Sequence, residues 1–114
     1  IYTLVYTLSL HDALPIFCAP IAPYAKTRAE IREIIEEYGG FFEIHVSTPI
    51  EECEKRDRKG MYAKARSGLL KGFTGVDDPY EEPVSPELSI DTTDLSPDEA
   101  AQEILLYIGQ KGYR

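Results

Sequence analysis

The chain has 114 residues, of which 43% are hydrophobic and 28% charged, and it carries a formal net charge of −8. That length limits it to one domain, and the proportions are those of an ordinary globular protein. The acidic balance argues against a nucleic-acid or anionic-membrane partner, which the whole surface would repel, and no run of about 20 apolar residues predicts a membrane-spanning helix. The two cysteines, Cys18 and Cys53, read as free thiols in a reducing compartment, so a cytoplasmic location is expected.

In chain order, residues 1–16 come first, with the sequence IYTLVYTLSLHDALPI. They lack the basic start and small-residue cleavage site of a signal peptide. Within them, TLSLHDALPI at 7–16 resembles the in-frame translation of a common sequencing-adapter oligonucleotide. Residues 1–16 are therefore expected to be a non-native artefact; the alternative is a genuine β-prone strand. His11 and Asp12 carry no functional weight on this reading, although such a pair could serve acid–base chemistry.

Residues 17–22, FCAPIA, predict a short buried parallel strand ending at Pro23. Thr27 with Glu30 has the spacing of a capping box. Ile31, Ile34, Ile35 and Tyr38 follow at helical spacing, and Gly39-Gly40 stops the helix. Residues 41–47 predict the next strand, with Phe42, Ile44 and Val46 on one face; His45, in the opposite phase, reads as a sheet-face residue. Thr48-Pro49 predicts a second cap with Pro at the first helical position, and a helix to about Asp57. Cys53 reads as buried and inert. Residues 61–70 predict a basic helix, 71–86 a long loop of a kind usually functional, and 88–92 a last strand. Ser96 caps a final helix with a stripe of Ala100, Ala101, Ile104, Leu105 and Ile108. Alternating strands and helices predict a parallel α/β sheet with helices on both faces.

One stretch stands out chemically. Residues 55–71 hold seven of the twelve Lys and Arg residues against a single acid, Asp57. This basic island runs into Gly72-Phe73-Thr74-Gly75. Cations for phosphate or sulfate beside a ring for a base point to a small-nucleotide site.

The residues that carry a family resemblance lie here: Cys53-Glu54-Lys55-Arg56-Asp57, Lys59-Gly60-Met61-Tyr62, Lys64-Ala65-Arg66-Ser67-Gly68, Lys71-Gly72-Phe73-Thr74-Gly75 and Asp78-Pro79-Tyr80-Glu81. In order and spacing the chain resembles adenylylsulfate kinase, which uses ATP to phosphorylate the 3′-hydroxyl of adenosine 5′-phosphosulfate (APS). CAPIAPY, YGGFFEIHV and IDTTDLSPDEAAQEILLYI look most like the kinase domain of bifunctional enzymes that also carry ATP sulfurylase. The resemblance covers 17–114 and implies the C-terminal half of such a domain, with a lid at about 58–86. The implied fold is α/β: an incomplete P-loop NTPase-type parallel sheet with flanking helices and a lid, its phosphate-loop half missing. No G-x-x-x-x-G-K-[ST] occurs in these residues, so this stretch alone is expected to be inactive, with the ligands for the Mg²⁺ that accompanies ATP lying elsewhere.

What the resemblance implies for individual residues is as follows. Phe73 stacks on the APS adenine, Gly72 offers a backbone contact, and Lys59 reaches the phosphosulfate. Arg56 packs against the ATP adenine; its bland reading is a helix partner for Glu52. Lys64, Arg66 and Lys71 stabilise charge on the transferring phosphoryl, or simply form a solvated helix face. Ile21 and Ala22 line the APS site. Many members have serine where Ala22 stands, which excludes a phosphoserine there, and often arginine where Ala25 stands. The implied partners are ATP and APS, with a fused ATP sulfurylase domain and a second copy of the chain as further candidates. The rival reading is a non-catalytic, allosteric nucleotide-binding domain of the same type. Another nucleoside or shikimate-type kinase would leave residues 71–80 without a role.

Overall fold

A computed structural model describes residues 4–5 and 16–111 of the chain. His11, Asp12 and most of the adapter-like stretch lie outside the described residues. The elements are β1 (Leu4–Val5), α1 (Ala25–Glu36), β2 (Ile44–Val46), α2 (Ile50–Arg56), α3 (Met61–Arg66), β3 (Leu88–Ile90) and α4 (Pro97–Gln110). The sheet runs β1-β2-β3. β2 and β3 are parallel, with Ile44 opposite Leu88 and Val46 opposite Ile90.

The period-2 pattern of 42–46 decides the core. Phe42, Ile44 and Val46 face one way and pack with Ile90, Leu88 and Leu95 against Ala100, Ile104 and Tyr107 of α4. Phe42 meets Tyr107 edge to face at 6.0 Å. Ile44 is fully buried, and an aliphatic side chain in that position contributes about 1.5–3 kcal/mol. Helix α4 starts where the sequence predicts: the Ser96 hydroxyl accepts from the Glu99 N–H at 3.1 Å and the Glu99 carboxylate from the Ser96 N–H at 3.0 Å. Beside this core, Ile31 and Ile35 of α1 pack on Phe41.

Several expectations are corrected. The sheet is mixed, because β1 pairs antiparallel with β2. Residues 17–22 form no strand; Phe17 is 49% and Ile21 46% exposed. A parallel strand needs layers on both faces, and in this run residues 17–21 are exposed and only Ala22 packs inward, against Phe41. The edge of β2 is satisfied by Leu4–Val5 instead, since unpaired strand backbone seeks a partner.

Thr27 is not a cap. Helix α1 begins two residues earlier, with Tyr24 in the cap position and no side-chain cap of its own. The Glu81 carboxylate, from 56 residues away, accepts from the Ala25 N–H at 2.7 Å. Thr48 does not cap α2 either; its hydroxyl is turned across the sheet to Thr92. Helix α3 ends at Arg66 rather than Leu70, because Gly68 takes a left-handed φ of +82° that a helix cannot continue. Helix faces are narrower than their apolar stripes: Ile34 of α1, Tyr38 in the turn after it, and Ala101 and Leu105 of α4 are exposed.

Candidate nucleotide site

The site is assembled by one acid between two helices. Asp57 follows the last turn of α2, and its carboxylate accepts from the N–H groups of Tyr62 at 2.9 Å and Ala63 at 3.1 Å. These are donors that the start of a helix leaves unsatisfied. Asp57 therefore ties the end of α2 to the start of α3. Tyr62 and Ala65 face inward and are buried, while Lys64 points to solvent with the exposed surface of α3.

The loop that follows is closed by a second acid. Asp77 accepts from the Gly72 N–H at 2.7 Å and from the Phe73 N–H at 2.6 Å. Those two bonds, Gly72 first, hold its carboxyl below the ordinary value of 3.8. The Phe73 carbonyl in turn accepts from the N–H groups of 76–78 at 3.1 Å each. At the apex Gly75 has φ +89°, and a Cβ there would sit 3.0 Å from the Ile50 Cδ1. The result is a tight loop that presents the Phe73 ring, half-buried, edge to face with Tyr62 at 5.0 Å.

Phe73, Lys59 and Arg56 line one cleft of about 340 Å³, together with Thr48, Arg58, Tyr62 and Thr92. A second cleft of about 510 Å³ shares Arg56, Arg58 and Thr92 and adds Glu52, Thr93, Leu95 and Pro97. The wall between them is fixed. Arg56 donates to the Thr92 hydroxyl at 2.9 Å and the Thr92 carbonyl at 2.7 Å, and its Nε lies 3.6 Å from Glu52. Thr92 also donates its N–H to the Thr48 hydroxyl at 2.9 Å. Arg56 is thus both partner to Glu52 and wall of the cleft.

The other sequence candidates lie outside this lining. Gly72 adjoins Phe73 with its N–H committed to Asp77. Arg66 is tied back to Glu54 of α2. Lys64 and Lys71 are exposed, as is Ile21. Ala22 packs on Phe41 at a left-handed φ of +46°. Sequence reasoning missed Asp57 and Asp77 because their partners are main-chain N–H groups that no spacing rule reveals, and Thr92 because its partners, the side chains of Arg56 and Thr48, lie 36 and 44 residues away. It also missed Arg28, which is only 2% exposed. A signal existed there: Arg28, Ile31 and Ile35 fall at i, i+3 and i+7, which places a cation on the buried stripe.

His45 is a buried face residue, as expected, stacked on Tyr80 at 6.0 Å. Burial lowers its pKa from 6.5, with Arg28 adding to the effect and Glu82 opposing it. Among the described residues neither cysteine is in a disulfide; Cys18 is exposed and Cys53 buried, its thiol donating to the Thr48 carbonyl at 3.9 Å. Among the described residues no group of three His, Cys, Asp or Glu is placed to hold a metal ion, and no helix is long and apolar enough to cross a membrane. A groove of about 590 Å³ on α4, lined by Gln102, Leu105, Leu106, Gly109 and Gln110, presents no charge to a phosphate.

The profile of the adenylylsulphate kinase family matches residues 5–91. The chain belongs to that family. The match takes in the adapter-like stretch at 7–16 as well as residues 58–86. Among curated relatives, a sulfate adenylyltransferase of Phaeosphaeria nodorum is 51% identical over 94 residues, 82% of this chain and 16% of that protein. One from Mycosarcoma maydis is 54% identical over 96 residues, again 82% of this chain and 17% of that protein. The chain thus spans about a sixth of the length of these relatives. A solved structure of the Mycobacterium tuberculosis APS kinase CysC, in complex with AMPPNP and APS, superposes with a TM-score of 0.73 at 43% identity, covering 79% of this chain and 52% of that one. The chain is accordingly an α/β structure matching that fold, with a small sheet that is parallel at β2–β3.

Proposed function

We propose that this chain supplies the lid and acceptor side of an adenylylsulfate kinase domain, acting in sulfate assimilation. The whole protein would transfer the γ-phosphoryl group of ATP to the ribose 3′-hydroxyl of APS. The observation that carries this is the convergence of Phe73, Lys59 and Arg56 on one cleft. Phe73 offers its ring to the APS adenine, Lys59 its charge to the phosphosulfate, and Arg56 its guanidinium face to the ATP base on the far side of the shared wall. Lys64, Arg66 and Lys71 bring positive charge to the rim, and Gly72 with Ile21 and Ala22 completes the APS contacts. Mg²⁺ would arrive with ATP. The chemistry of these residues is positioning and electrostatics, with closure of the lid excluding water.

Two readings extend this. The similarity to sulfate adenylyltransferases supports a native protein fused to ATP sulfurylase, in a cytoplasmic setting. Residues 1–16 are, on our reading, foreign to the gene; resequencing the locus from source DNA across codon 16 tests this, and recovery of the same codons would end it.

The central test is calorimetric titration of APS into the chain and into Phe73→Ala. Base stacking is worth about 1–3 kcal/mol, so the variant should bind about 5- to 150-fold more weakly. Equal affinity would overturn the assignment of Phe73. The 114 residues contain no phosphate-loop motif and should form no 3′-phosphorylated product from ATP and APS. A second reading, a non-catalytic nucleotide sensor, is favoured by Ala22 and Ala25 standing where many members carry serine and arginine. A gene whose upstream codons encode a degraded phosphate loop would establish it over the kinase.

A further inference from the structure

Arg28 is buried to 2% exposure yet sits on a helix whose neighbouring inward residues are isoleucines. An apolar side chain would fill that place at no electrostatic cost, and a buried cation persists only with good partners. Those partners come from two distant segments. One guanidinium nitrogen donates to the Ala22 carbonyl at 2.7 Å, the other to the Glu81 carbonyl at 2.5 Å. The remaining nitrogen lies 3.9 Å from the Glu43 carboxylate, and the guanidinium stands 5.7 Å from the centre of the Tyr80 ring.

The same two segments clasp each other directly. The Glu81 N–H donates to the Pro23 carbonyl at 2.8 Å, and the Glu81 carboxylate accepts from the Ala25 N–H at 2.7 Å. Ala22, meanwhile, keeps a left-handed backbone at φ +46°, which L-residues seldom adopt without support. Its carbonyl is the one that Arg28 holds. The planar fork of arginine suits two carbonyls in fixed directions; a lysine ammonium does not reproduce that geometry.

We infer that Arg28 is a positioning residue that latches the return leg of the lid, at 80–82, to the turn at 21–25. The latch makes the two segments a single cooperative unit. It rests on the reading above for its meaning: Ile21 and Ala22 on one side and the Phe73 loop, which the return leg continues, on the other would then meet the APS nucleotide in a fixed relation.

Hydrogen exchange read by NMR on the intact chain tests this without any substitution. The amides of Ala25 and Glu81 should open with the same free energy and the same denaturant dependence, as one unit. Different opening energies would overturn the latch. Arg28→Lys should speed exchange at both amides about tenfold or more, the size expected for losing charge-assisted hydrogen bonds, while His45 and Val46 in β2 stay protected. Unchanged exchange at both amides in that variant would also overturn it. Adding APS should slow both amides together in the wild type. Coupled opening with no response to APS would support the latch and remove the nucleotide reading instead, so the two failures are separable.

Discussion

At Asp77 a single carboxylate accepts two successive main-chain protons, from Gly72 and from Phe73. This is the smallest device in the molecule with a direct bearing on the site, because it orders the backbone that carries the ring. Its folded-state pKa lies below the ordinary 3.8, from those two bonds. A lowered carboxyl pKa contributes stability that is present above the ordinary value and lost as pH falls through the lowered one. The loop should therefore hold at all pH values above about 4 and loosen only in stronger acid. Asp77→Ala should speed amide exchange at Gly72 and Phe73 at neutral pH, and Asp77→Asn, with one acceptor oxygen in place of two, should lie between. Exchange at these two amides that is indifferent to both variants would refute the role. None of this is visible in GFTGVDD as a string, where Asp77 and Asp78 look interchangeable.

At the scale of elements, the two helix starts contrast. Helix α4 carries its own cap, Ser96 with Glu99, and the interval Ser-Pro-Asp-Glu announces it. Helix α3 has only six residues, too short to be stable alone, and depends on Asp57 from the preceding helix. Ser96→Ala should cost about 1 kcal/mol in global stability, read as a shift in the urea midpoint with unchanged slope. Asp57→Ala should act locally instead: amide protection at Tyr62 and Ala63 falls, and APS affinity falls with it, because Lys59 and Phe73 are referred to one another through α3. A global loss equal to that of Ser96→Ala, with α3 still protected, would contradict this division.

Across the whole molecule, the two faces of the sheet differ in kind. The α4 face is apolar throughout, from Phe42 to Tyr107. The opposite face carries Glu43 and His45, met by Arg28 and Tyr80. Burial raises the Glu43 pKa against the pull of Arg28 and Arg32 and lowers that of His45 from 6.5. A histidine with a lowered folded pKa binds its proton more readily when unfolded. Its stabilising contribution is complete above about pH 6.5 and declines as pH falls towards the lowered value. The stability difference between wild type and His45→Gln should be constant above about pH 7 and shrink as pH drops to 5, in denaturant titrations at fixed ionic strength. Glu43 titrates with the opposite sign, so the comparison of the two proteins, rather than the wild-type curve alone, isolates His45.

The amino-acid sequence by itself determined the family, the helix–strand order from α1 onward, the apolar face of β2 and the capping box of α4. The family rests on motifs in order along the chain; the others depend on residues within a few positions of one another, where periodicity and local hydrogen bonding act. It also placed Arg56, Lys59 and Phe73 together as candidates through their motif. Only the tertiary structure decided that residues 17–22 form no strand, that Glu81 rather than Thr27 caps α1, that Thr48 turns to Thr92, and that Arg28 is buried between two distant carbonyls. Apart from the Arg28 bond to the Ala22 carbonyl, six residues away, the hydrogen bonds among them join groups 44 to 56 residues apart in the chain. A buried polar group must find a partner wherever the fold supplies one, and no local spacing specifies where that is.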